Sequence, residues 1–102
     1  MSHYAWVIDT DHLYDPTFSG DVNEEGMMGP SDMSDEQRKA LESGKGHVFK
    51  MYDDDKELYY TGRIVADEMD EEACYGPLGD FGMPNAGAVE IRYIGHKEWN
   101  CG

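Results

Sequence analysis

Carboxylates are the most numerous side chains in this sequence that could take part in chemistry, and a dense group of them comes early in the chain. Asp9, Asp11, Asp15 and Asp21 fall in or beside a stretch rich in Gly, Asn and Pro. Oxygen ligands of this kind hold Ca²⁺, but the spacing departs from the EF-hand frame, since Tyr14 stands where that frame requires glycine. A solvated acidic loop explains the same residues without an ion.

A second acidic group, Asp53-Asp54-Asp55, could also hold an ion. A tight turn rich in Asp needs none, however, because Asp side chains accept hydrogen bonds from nearby backbone amides. We therefore predict no metal site and no cofactor.

Histidines and cysteines are scattered through the chain, at His3, His12, His47, His96, Cys74 and Cys101. No His-x-x-x-His pair is present, so a zinc site would need ligands from distant segments. His12 beside Asp11 could serve acid–base chemistry, but such pairs are more often structural. Cys74 has no neighbouring base or cation to activate its thiol. The sequence thus predicts no catalytic residues and no enzyme.

The segment Gly79–Gly87 is rich in glycine but is not a phosphate-binding loop, because it has no lysine and no Gly-x-Gly-x-x-Gly frame. With two prolines and four glycines, residues 76–87 are expected to lack regular structure. An ordered loop is a candidate recognition surface, and we assign partner binding there to Asp80, Phe81 and Asn85. The alternative is structural, with Phe81 and Met83 turned inward.

Net charge is the strongest compositional feature: 22 acidic and 8 basic residues give −14. Direct binding to nucleic acid or to an anionic membrane is disfavoured, because both carry the same sign of charge. The field would attract a basic protein or a divalent cation. Solubility alone is the simpler explanation.

The acidic residues are also segregated along the chain. No Lys or Arg precedes Arg38, and none lies between Ile64 and Ile91. We predict that these stretches form one or two acidic faces for a basic partner, comprising Asp9, Asp11, Asp15, Asp21, Glu24, Glu25, Asp67, Glu68, Asp70, Glu71 and Glu72.

The elements that position these residues begin with a strand at Tyr4–Ile8, followed by a loop with at most a short strand across residues 11–30. Ser34 and Gln37 form a capping box that predicts a helix from Asp35 to Ser43. Its apolar face is thin, so we expect it to cover an edge of the sheet.

A hairpin is the best-defined element, with strands at His47–Tyr52 and Glu57–Val65 joined by the turn 53–56. Pairing Tyr52 with Glu57 sets Met51 opposite Leu58 and Phe49 opposite Tyr60. These apolar residues and Ile64 share one face; Lys50, Tyr59, Thr61 and Arg63 share the other. A last strand at Ala88–Ile94 is expected to turn Val89, Ile91 and Tyr93 inward and Glu90 and Arg92 outward, with Trp99 closing the core.

The fold class that follows is β-rich α+β: a single globular domain, residues 1–102, with a small antiparallel curled sheet or barrel of four to six strands and one short helix. No stretch approaches the ~18 apolar residues that span a bilayer, and we expect a cytoplasmic location.

Several segments resemble a group of short, acidic, mostly uncharacterised proteins of actinobacteria and their phages. The similar segments are Thr10–Leu13, Phe49–Ile64, Pro77–Gly87 and Ile91–Tyr93. One departure is Lys56, which stands where those proteins usually have glycine, at a turn position that favours left-handed backbone. The resemblance implies a phage or prokaryotic accessory protein and brings no catalytic residues.

Together these observations predict a non-catalytic protein that engages a basic host protein such as a nucleic-acid-binding enzyme. In its sharpest form it is a DNA mimic of the anti-restriction or anti-CRISPR type. Two alternatives stay open: a structural or assembly component, and a small metal-dependent enzyme. The oligomeric state and any pairing of Cys74 with Cys101 are also open.

Overall fold

The computed structural model describes residues 2–102 and contains an open, five-stranded antiparallel sheet. The strands are β1 Tyr4–Asp11, β2 Met28–Gly29, β3 His47–Tyr52, β4 Leu58–Ala66 and β5 Glu90–Tyr93. Their order across the sheet is β2-β1-β4-β3-β5. The predicted fold class is confirmed, and of the two predicted forms the sheet is the open one.

Helix α1, Asp35–Glu42, begins as predicted: Oγ of Ser34 accepts from the Gln37 amide, and the Gln37 side chain accepts from the Ser34 amide. Its position differs from the prediction: the helix packs on the face of the sheet over the inner strands β1 and β4, not over an edge strand. The contact rests on Leu41, which is buried with Ala5 and Val7.

The prediction that residues 76–87 lack regular structure is wrong. A helical segment of 16 residues comprises α2 Glu71–Pro77, a π-helical turn Leu78–Gly82 and α3 Met83–Ala86. The glycines serve close packing here: a Cβ on Gly76 would lie 2.4 Å from the Tyr4 ring, and one on Gly82 2.4 Å from Sδ of Met51. No helix in residues 2–102 is long and apolar enough to cross a membrane.

The two helical layers cover opposite faces of the sheet. Along β1, Tyr4, Trp6 and Ile8 face the helical segment 71–86 and join the main core. The alternate residues Ala5 and Val7 face α1. The sheet is therefore buried on both faces along β1.

Register in the hairpin differs from the prediction. Tyr52 pairs with Leu58, Met51 with Tyr60 and Phe49 with Gly62, with an irregularity between Met51 and Tyr52. The turn is wider than assumed, because the Asp53 carboxylate accepts from the amides of Asp55 and Glu57. Phe49 and Met51 are shifted by two residues and stay on the core face with Tyr60 and Ile64. The faces of Leu58 and Tyr59 were predicted wrongly: Leu58 pairs with Tyr52 instead of Met51, and Tyr59 packs against the main core.

The last strand is shorter than predicted, and its alternation is only partly as expected. Ile91 and Tyr93 are buried, but Val89 is 43% exposed. Glu90 is buried rather than outward, because Lys56 and Arg92 both donate hydrogen bonds to it. Trp99 packs against the main core, as predicted.

Candidate functional site

Within residues 2–102, most of the acidic side chains contact no Lys or Arg. Of the 22 carboxylates, only Asp9 and Glu90 contact a Lys or Arg within residues 2–102. Asp9 is held by Arg63 at 2.7 Å. The negative field of the remaining side chains is therefore not neutralised by ion pairs with Lys or Arg.

The first concentration is the acidic loop, defined here as residues 11–27 between β1 and β2. Asp11 organises it: Oδ1 accepts from the amides of Leu13 and Tyr14, and Oδ2 accepts from the amide of Glu24 at 3.0 Å. Glu25 closes the loop from the other side, where Oε2 accepts from the Asp11 amide. Asp11 itself is buried, so this carboxylate shapes the loop from within.

Asp15 and Asp21 fix the outer part of the acidic loop. Oδ2 of Asp21 accepts from the Asp15 amide at 2.8 Å. Oδ1 of Asp15 accepts from both the amide and the hydroxyl of Thr17, which lowers the pKa of the Asp15 carboxyl. These carboxylates are exposed yet held at defined positions.

A cleft of about 300 Å³ joins the acidic loop to the end of the helical segment. Asp11, Asp21 and Glu24 line it from the loop, and Asn85 lines it from α3. Asn85 is positioned by a 3.3 Å hydrogen bond that its side chain donates to the Tyr60 hydroxyl. Two segments predicted separately to bind a partner thus meet here.

The second concentration, the acidic turn, is defined here as residues 67–72 between β4 and the start of α2. Asp70 caps α2 by accepting from the Ala73 amide at 2.9 Å, and its Oδ1 lies 3.0 Å from Nε2 of His3. The hydrogen bond to Asp70 raises the pKa of His3, and the Ala73 amide lowers that of Asp70. Asp67, Glu68 and Glu71 are exposed.

A larger cleft, of about 710 Å³, opens beside the acidic turn. Asp70, Glu71 and Glu72 line one side, while Trp99 and Cys101 belong to the C-terminal segment opposite. Ring stacking of His96 on Trp99, at 3.9 Å between centroids, supports that wall. The cleft combines carboxylates with an aromatic surface, which suits a cationic group.

The two acidic concentrations lie at opposite ends of β1. Asp11 pairs with Tyr60 at one end, and Tyr4 pairs with Ala66, next to the acidic turn, at the other. For eight residues this separation is roughly 23 Å. Asp80 lies between them on the helical segment, so the predicted acidic residues form two groups rather than one continuous row.

The recognition residues predicted from residues 79–87 have different environments. Oδ2 of Asp80 accepts from the Tyr4 hydroxyl at 2.7 Å and from Nε1 of Trp6 at 3.1 Å. Phe81 is 5% exposed and packs between the Trp6 and Tyr60 rings, as the structural alternative expected, whereas that alternative is wrong for Met83, which is 42% exposed. Of the three, Asn85 is the one that lines a cleft.

The other reactive groups are engaged in the fold. Burial raises the pKa of both Cys74 and Cys101, which disfavours the thiolate form. Nε2 of His12 lies 2.8 Å from the Thr61 hydroxyl. Asp53, Asp54 and Asp55 bring carboxylate oxygens within 4.8 Å of one another, but Asp53 already accepts two backbone amides.

Comparison with protein families, with curated proteins and with solved structures found no match to this chain. The arrangement of its own side chains is therefore the basis for a functional proposal.

Sequence reasoning missed the residues that position these groups. Tyr4 and Trp6 were placed in the first strand, and their hydrogen bonds to Asp80 had no signal, because the partners are 76 and 74 positions apart. The role of His3 beside Asp70 was hidden for the same reason.

Proposed function

We propose that this chain is a non-catalytic, acidic protein-binding module, encoded by a phage or mobile element, that engages a basic patch on a host protein. The observation that carries the proposal is the scarcity of partners for its carboxylates: among residues 2–102 only Asp9 and Glu90 contact a Lys or Arg. Unpaired charges of one sign attract a partner of the opposite sign and accelerate association.

A more specific form of the proposal is that the carboxylates imitate DNA phosphates in the cleft of a nucleic-acid-binding enzyme, as in an anti-restriction or anti-CRISPR protein. Such imitation requires negative charges at fixed positions. Hydrogen bonds from backbone amides to the exposed carboxylates of Asp15 and Asp21 support this form, because they hold these groups in place before binding.

The test is a pull-down from an actinobacterial lysate at low salt, with elution by a salt step. Three double variants each remove two exposed or half-buried charges: E24Q/E25Q in the acidic loop, D67N/E68Q in the acidic turn, and E42Q/E57Q as the control. In the E24Q/E25Q variant, the glutamine at position 25 keeps a side-chain oxygen that can accept the hydrogen bond from the Asp11 amide.

We expect near-stoichiometric recovery of one basic nucleic-acid enzyme, weakened by either of the first two variants more than by the control. Recovery of many ribosomal and nucleoid proteins would mean nonspecific attraction. A complex that is insensitive to salt would contradict the proposal, because screening weakens attraction between exposed charges.

A further inference from the structure

Exposed apolar side chains are concentrated in the acidic loop. Nine large hydrophobic residues are exposed in the described chain, and four of them lie in this loop: Leu13 41%, Phe18 70%, Val22 64% and Met27 46%. Phe18 is the most exposed of the nine. A folded protein that has buried its other phenylalanines, Phe49 and Phe81, gains no stability from leaving this ring in water.

The backbone that carries these side chains is held by its own hydrogen bonds. The Phe18 amide donates to the Asp15 carbonyl at 3.1 Å, and the Asp21 amide donates to the Phe18 carbonyl at 3.2 Å. Oδ2 of Asp21 accepts from the Asp15 amide, which closes a hydrogen-bonded turn around Phe18. The backbone that presents the Phe18 side chain therefore loses little conformational freedom on binding.

We infer that the acidic loop is the docking element of the proposed function, with Phe18 and Val22 as apolar anchors. Its occupant is a protein surface with an apolar depression surrounded by Lys and Arg. This inference rests on the proposed function and adds which segment makes the contact and by what chemistry.

Charge complementarity selects this occupant. Five acidic residues and no Lys or Arg lie in the acidic loop, residues 11–27. An anionic lipid surface or a nucleic acid would be repelled by the carboxylates of the loop around Phe18 and Val22. A second copy would bring another −14 to the interface. Apolar anchors within a ring of polar contacts are the usual composition of a binding hot spot.

Two synthetic helical peptides of equal length and charge provide the probe. One carries Lys on one face and Leu on the other; its counterpart carries Lys and Ser. Titration at low and high salt compares the wild type with F18S/V22S and with I94S, whose Ile94 is 55% exposed outside the loop. Unfolding midpoints of all variants are measured in parallel.

We expect the Lys/Leu peptide to bind wild type about tenfold more tightly than the Lys/Ser peptide, from burial of one or two apolar side chains. The preference should disappear in F18S/V22S and persist in I94S. It should also survive high salt, because apolar contacts are not screened. Amide chemical shift changes are expected at residues 13–27.

The outcomes separate the two proposals. If neither peptide binds at low salt, the proposed function fails together with the docking element. If both peptides bind with equal affinity, or if F18S/V22S retains the preference for Leu, only the inference about the loop is overturned.

Discussion

Oδ2 of Asp80 accepts a hydrogen bond of 2.7 Å from the hydroxyl of Tyr4, 76 positions away in the chain. The same oxygen accepts from Nε1 of Trp6 at 3.1 Å. One carboxylate thereby ties the helical segment 71–86 to β1, the strand that separates the two acidic groups. Its first role is to hold the fold together.

Replacing Asp80 with alanine should lower the free energy of unfolding by about 1–3 kcal/mol, because the Tyr4 hydroxyl and the Trp6 indole N–H lose their acceptor. Chemical denaturation measures the effect. D67N provides the control, since Asp67 is exposed and its side chain makes no hydrogen bond in the described structure. Equal stability of D80A and D67N would contradict the structural role.

Glycines of the helical segment should differ in their tolerance of alanine. At Gly76 the new Cβ would lie 2.4 Å from the Tyr4 ring, which is buried and bonded to Asp80. G76A should therefore cost about 1–3 kcal/mol. At Gly79 the Cβ meets the Tyr75 ring, which is 43% exposed and can turn away.

G79A is the matched comparison for G76A, and we expect it to be neutral or to stabilise by up to about 1 kcal/mol through helix propensity. Thermal and urea unfolding of the two variants give the difference. Equal destabilisation by both would mean that Tyr75 cannot move.

The comparison of these glycines shows where sequence reasoning reached its limit. Two features at the ends of the helical segment were present in the sequence but were not used: Asp70, which caps α2, and Gly87, which ends α3 with φ 76°. The interior gave no comparable signal, because a glycine that makes room for the Tyr4 ring and a glycine that breaks a helix look alike until the packing partner is known. Residues 76–87 were interpreted as irregular for that reason.

Local chemistry, in contrast, could be predicted. The Ser34 capping box depends on residues close in sequence and is confirmed, as is the shared core face of Phe49, Met51, Tyr60 and Ile64 in the hairpin. Lys56 has φ 66°, in the left-handed region that this turn position was expected to favour. Within the candidate site, the dense carboxylates were visible, but the hydrogen bonds that fix Asp11 to Glu24 depend on how the loop closes.

His3 should titrate above its ordinary value of 6.5, because the Asp70 carboxylate stabilises the protonated ring. Since the folded-state pKa is raised, this contribution to stability is present at lower pH and is lost as pH rises through the folded pKa. Proton NMR of the imidazole measures it directly. D70N should return the pKa of His3 towards 6.5 while retaining the helix cap.

Tyrosine side chains in the core should ionise at a higher pH than tyrosine in an unfolded chain. Burial raises the pKa of Tyr93, whose hydroxyl donates to the Cys74 carbonyl, above the ordinary 10.0. In the unfolded chain Tyr93 ionises at a lower pH than in the folded protein, so the free energy of unfolding should fall as pH rises past about 10. Y93F should weaken this alkaline dependence, followed by tyrosinate absorbance and circular dichroism. An unchanged slope would assign the dependence to Tyr4 and Tyr60, whose pKa values are also raised.

Added sodium chloride should stabilise the fold, although it weakens individual ion pairs. Two effects compete: screening reduces repulsion within a net charge of −14, and it also reduces the attraction of Asp9 for Arg63. Repulsion should dominate, because among residues 2–102 only Asp9 and Glu90 contact a Lys or Arg.

Urea denaturation across a range of sodium chloride concentrations measures the balance. D67N/E68Q should be more stable than wild type at low salt and should respond less to added salt, because two exposed charges are gone. If salt instead lowers the free energy of unfolding, the acidic groups lie too far apart to repel strongly. The separation of roughly 23 Å between the ends of β1 would then exceed the range of electrostatic repulsion between the two groups, since the Debye length is about 10 Å at 0.1 M salt. In that case each end would attract a basic partner independently.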